Sequence, residues 1–173
     1  MKTLIALAAG ALIAAPAFAQ KMENADQSAL KQLAQANLAE IKAGQMGAAK
    51  AQSPEVKKFA QKMADDHQIM LNDLKSLAKS KDVALPQDVN ARDFAGMKIL
   101  EHASAGDFDR KYMEEMVKDH EKDLQAAQNI AAKAKDAQFK SAVQHASSKI
   151  QEHLSLAKSV QGKLSAAAGS SRK

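Results

Sequence analysis

Two nine-residue stretches, FAQKMADDH from Phe59 to His67 and YMEEMVKDH from Tyr112 to His120, are written on one frame. Each has an aromatic residue, a Met one helical turn before a His, and an Asp directly preceding that His. A third His, His153, stands in IQEHLSLAKSV, and Glu40 precedes them all. Imidazole nitrogen with carboxylate oxygen is a donor set for zinc, iron or copper. Asp66 and Asp119 can ligate directly or take the ring N–H groups as outer partners. Met63 and Met116 add soft thioether donors, which suit copper(I). The candidate metal ligands are therefore Glu40, Asp66, His67, Asp119, His120 and His153, joined by Met63 and Met116 if the ion is copper. The Glu-x-x-His pair that builds di-iron bundles is missing. Neighbouring Asp and His side chains diverge by about 100° on a helix, a poor aim for bridging two irons. The competing reading is that the histidines are core residues bonded to Asp, the Tyr112 hydroxyl or trapped water, with the Met side chains filling gaps.

Either reading requires long helices. The apolar positions recur at helical spacing, and punctuation divides the chain into four long segments and one short one. The first helix is expected over about 23–50, with Leu30, Leu33, Ala34, Asn37, Ile41, Gly44 and Ala48 on one stripe. Ser53-Pro54-Glu55 supplies an N-cap, a proline at the first helical position and an acidic first turn, which starts a second helix over 54–81. DVALPQDVN interrupts the pattern, and a short helix over 91–103 carries Phe94, Met97 and Leu100. A third long helix is expected over 107–134, and a fourth over 137–164 with Asp136 as its cap. The ending SAAAGSSRK has nothing large to bury, so residues 165–173 read as a disordered tail. No stretch alternates with period two for long enough to propose a sheet.

The fold class expected is all-α: a four-helix bundle whose one long connection, between the second and third long helices, contains the short helix. A crossover of that length lets those two helices run parallel, the ferritin-like arrangement. At 100° per residue, His67 and His120 fall near the middle of their apolar stripes and His153 lies on the apolar face of the last helix. Asp66 and Asp119 lie on the flanks, Glu40 at the edge of its stripe. A rise of about 1.5 Å per residue brings Glu40 and all three His to one level, within about one turn. His102 and His145 read as surface residues.

The N-terminal MKTLIALAAGALIAAPAFAQ has a Lys, an apolar run and Ala17-Phe18-Ala19 before Gln20, the pattern of a secretory signal peptide over 1–19. Pro16 and Gln20 break the run too early for a membrane span. The expected localisation is periplasmic or otherwise exported, after cleavage near Ala19-Gln20, with one bundle domain over 20–164. The sequence has no Cys, no Trp, one Tyr and five Phe, and a net charge of +5. Thiolate-held zinc and iron–sulfur centres are thereby excluded. The Lys residues are interleaved with Asp and Glu, which reads as a solvated helical surface and not a nucleic-acid footprint. The partners expected are no nucleic acid, no transmembrane segment in the mature chain, and at most a weak association with the envelope surface.

Three segments resemble the domain-of-unknown-function 4142 family of exported bacterial proteins: NLAEIKAGQMGAAKAQSPEVKKFAQKMADDHQIMLNDLKSLA, GDFDRKYMEEMVKDHEKDL and IQEHLSLAKSV. The resemblance spans roughly residues 25 to 160. It implies a ferritin-like helical bundle in the periplasm or at the outer envelope, and no established activity. Neither a nucleophile elbow nor a phosphate-cradling glycine loop is present. The sequence thus favours a non-enzymatic exported bundle with an envelope-stress or interaction role; the alternative is a bundle that binds iron, zinc or copper through His67, His120 and His153.

Overall fold

The computed structural model describes residues 21–170, apart from the side chains of 92–95, 168 and 170. The expected leader over 1–19, the Phe94 side chain and the tail at 171–173 lie outside the described residues. Among the described residues five helices follow in order: α1 (Asn24–Lys50), α2 (Pro54–Ser80), α3 (Ala91–Glu101), α4 (Ala105–Lys133) and α5 (Ala137–Ser170). Among the described residues there is no strand. α5 runs past the expected end at 164, since exposed Ala166 and Ala167 keep helical propensity. α4 opens at Ala105, two residues before the expected start.

Local chemistry sets the boundaries. The Ser53 hydroxyl oxygen accepts from the Val56 N–H at 3.4 Å, with Pro54 next to it in the first turn. Asp136 Oδ1 accepts from the Phe139 N–H at 2.9 Å and caps α5. α2 ends in a left-handed turn at Asp82, φ 54°. There the Val83 N–H reaches the Ala78 carbonyl at 2.9 Å and the Asp82 N–H reaches Lys79 at 3.4 Å, the paired bonds of a Schellman ending.

Contacts between helix ends fix the topology. The Asp109 carboxylate, in the first turns of α4, accepts from the Ser53 N–H at 2.7 Å at the start of α2. At the opposite end Asp26 of α1 accepts from the N–H groups of Lys135 and Asp136 at 2.9 and 2.7 Å. Lys81, just after α2, pairs with Asp136 at 2.7 Å. α2 and α4 therefore run in the same direction, and α1 and α5 in the other. The segment between α2 and α4 travels the length of the bundle, the single crossover of a ferritin-like topology. It passes over the groove between α1 and α4, held by Lys42 to the Asp88 carboxylate and Lys50 to the Glu101 carbonyl, with Leu100 buried beneath.

Two hairpins result, α1–α2 and α4–α5, and their packing makes two apolar clusters. One, around Leu30, Leu71, Leu74, Phe139 and Val143, fills the end where α1 begins. The other, around Val56, Phe59, Met63, Phe108, Tyr112 and Met113, fills the end where α2 begins. In the second cluster Tyr112 stacks on Phe108 at 5.6 Å between centroids and meets the edge of Phe59 at 6.4 Å. Close approach of α1 depends on two glycines. A Cβ on Gly44 would stand 2.8 Å from the Ala60 carbonyl oxygen and the Ala64 nitrogen, and one on Gly47 would stand 2.5 Å from the Tyr112 ring. Between the clusters α2, α4 and α5 each change from apolar to His, and α1 contributes buried Asn37 and Glu40.

Candidate metal centre

His67, His120 and His153 form that polar layer. His67 is 3 % exposed and the other two are 0 % exposed, which takes all three imidazoles out of water. Ring centroids are 5.8 Å apart for His67–His120, 5.3 Å for His67–His153 and 5.7 Å for His120–His153. One ring nitrogen from each lies within 4.8 Å of the others.

The outward nitrogen of each ring meets an acceptor. His67 Nδ1 is 3.0 Å from Asn37 Oδ1, and the Asn37 amide is oriented by its own donation to the Leu33 carbonyl at 2.8 Å. His120 Nδ1 is 2.8 Å from the Met116 carbonyl oxygen one turn back in α4. His153 Nε2 is 2.8 Å from Asp66 Oδ2, which also accepts from Lys62 at 2.6 Å. A neutral imidazole has one N–H and one lone pair, so an acceptor at one nitrogen places the proton there. The lone pairs are then on His67 Nε2, His120 Nε2 and His153 Nδ1. All three are buried without a protein hydrogen-bond partner. None can donate to another.

Electrostatics hold the cluster neutral. Burial pushes His67 well below its ordinary value of 6.5, and repulsion from His120 and His153 adds to the shift. His120 is lowered to about 4, mainly by burial, against the opposing bond to Met116. Burial also lowers His153, although the Asp66 bond pulls the other way. At Asp66 partial burial opposes ionisation, but the bonds from Lys62 and His153 outweigh it and keep the carboxyl below the ordinary range. The layer thus presents three uncharged bases with a carboxylate behind one of them.

The remaining candidates lie elsewhere. Asp66 serves His153 from outside and is no inner donor. Glu40 is buried, 6 % exposed, but is not brought into the group of converging ligand atoms. The Tyr112 phenol is raised by burial and, to a lesser extent, by the Glu40 charge. Asp119 pairs with Lys122 at 3.0 Å on a side chain 38 % exposed, and lines the groove beneath α3. Met63 and Met116 are buried in the aromatic apolar cluster. His102 and His145 are exposed. Sequence reasoning gave no role to Asn37; its signal was a lone amide on an apolar stripe. The Met116 carbonyl could not be found that way, because every residue has one.

A metal held by nitrogen at about 2.0–2.1 Å in a tetrahedral site places its ligand nitrogens about 3.3 Å apart. The triad's nitrogens, within 4.8 Å of one another, are looser than this by as much as about 1.5 Å. Each outward N–H sits on a carboxylate, an amide oxygen or a backbone carbonyl, the partners that orient ligating histidines.

Fold and cluster together define an all-helical bundle with a buried three-histidine layer. Residues 11–160 match the family described as a domain of unknown function, DUF4142. The chain belongs to that family. No curated protein and no solved structure matches it.

Proposed function

We propose that this bundle holds one first-row transition-metal ion between His67, His120 and His153. The observation that carries the reading is three buried imidazoles that bring one ring nitrogen each within 4.8 Å of the others, while one nitrogen of each ring has no hydrogen-bond partner. Buried polar groups without partners are rare, and leaving one unmade costs about 1–3 kcal/mol. Three at one level in a core are relieved together by one cation. A neutral imidazole set suits zinc, copper or iron, and the three-nitrogen count leaves a coordination position for water or another small donor. Metal holding or buffering is the role that such a donor set fits. The leader-like residues 1–19 support an exported, periplasmic setting for that role.

Elemental analysis of purified, untagged protein after separate exposure to zinc, copper and iron tests the proposal. The expected result is near-stoichiometric retention of one ion, with a higher melting temperature in its presence. A His67→Leu, His120→Leu double variant should lose the ion yet melt, without metal, no lower than the parent, because two buried unpartnered nitrogens are gone. Retention of no ion, with melting unchanged by any of the three, would overturn it.

A further inference from the structure

A cleft of about 190 Å³ opens on the apolar half of the bundle nearest α1's start and is bounded by all four long helices. Buried His67 lines its inner part and Met70 and Ile150 its walls, while Asp73 and His145 lie exposed and Asp123 half-exposed along it. The space is bordered both by His67, a 3 % exposed member of the triad, and by surface residues. Resting on the metal reading above, we infer that this cleft is the entry path of the ion, with Asp73 and His145 as its capture residues.

The chemistry of the mouth fits transient capture. Carboxylate oxygen and imidazole nitrogen both bind a hydrated divalent cation. Among the described residues, however, the group whose ligand atoms converge is the triad, and the mouth residues are not part of it. Each can therefore hold an ion by a single contact and release it inward. Fixed negative charge at the mouth of a low-dielectric channel raises the local cation concentration and the on-rate. Between mouth and triad the walls are mostly aliphatic, from Leu33, Leu74, Ala146 and Ile150. The bound state is set by the triad alone, so the mouth governs how fast the ion arrives and not how tightly it stays.

Stopped-flow uptake of cobalt(II) by the metal-free full-length chain separates the two quantities. Ala146→Phe places a ring in the cleft, and Asp73→Asn with His145→Gln removes two capture groups without touching the triad. Both should slow uptake, by about tenfold for each, with equilibrium affinity and final absorption within about twofold of the parent. Asp65→Asn with His102→Gln makes the same chemical changes away from the cleft and should leave the rate alone. If the parent takes up cobalt and both cleft variants take it up at the parent's rate, the entry path is wrong while the triad site stands. If the parent binds no cobalt at equilibrium, the metal reading fails and the entry path with it.

Discussion

A neutral imidazole that has given its single N–H to an outward acceptor has nothing left to offer a second imidazole. At His67, His120 and His153 that outward acceptor is an amide, a carbonyl and a carboxylate in turn, and the other ring nitrogens are left buried without a partner. The metal-free chain should show this in its pH dependence. His120 is held at about 4 and His67 well below 6.5, so at intermediate pH the unfolded chain binds protons that the folded chain refuses. Stability therefore rises with pH from about 4 to about 6.5 and levels off above, where neither state is protonated. Urea melts of metal-free protein across that range will show the slope, and His120→Leu will lessen it by the His120 share; identical slopes would mean that His120 is not held neutral. The inward direction of these rings was legible from 100° per residue. The fate of the flanking carboxylates was not. Asp66 and Asp119 occupy the same place in the repeated frame, yet α2 turns its flank toward α5 and His153, whereas α4 turns its flank toward the groove under α3. Local sequence does not say which helix stands next door.

At the scale of elements, α1 and α2 are held close by the absence of side chains. Gly44→Ala puts a methyl group against α2 backbone, which cannot swing aside as a side chain would. Overpacking of this kind costs about 1–3 kcal/mol. A lower urea midpoint with an unchanged slope is the expected result, and a neutral substitution would show that the hairpin can open without loss. Asp82→Gly should act in the opposite direction. Asp82 is exposed, takes part in no cap through its side chain, and holds the left-handed conformation that glycine adopts without strain. Relief of that strain, less the extra freedom of glycine in the unfolded chain, should stabilise by about 0.5 kcal/mol. Calorimetry should record that as a rise of about 1–2 °C in melting temperature. Ser53-Pro54 and Asp136 announced their helix starts in the sequence because caps are local chemistry. The Asp26 grip on residues 135 and 136 was invisible, since it joins positions more than a hundred residues apart and looks, in α1, like any acidic first turn.

For the whole molecule, the four long helices and the crossover could be read from periodicity and punctuation, because burying one stripe per helix leaves few arrangements. The level of Glu40 could also be read, but depth along an axis does not fix direction around it, and the group of converging ligand atoms comprises the three histidines without Glu40. The layer is divided unevenly between the halves of the chain: the α1–α2 hairpin brings His67 with its Asn37 support, and the α4–α5 hairpin brings His120 and His153. An ion in the layer would act as a clasp across the seam. The hairpins could not part until it was let go, so added zinc should slow unfolding in denaturant and a chelator should restore the original rate. A ligand that binds only the closed form stabilises it in proportion to the logarithm of its concentration. The lifetime of the closed bundle would then be a reading of the free metal around it, and a protease that attacks open chains would spare loaded molecules and clear empty ones.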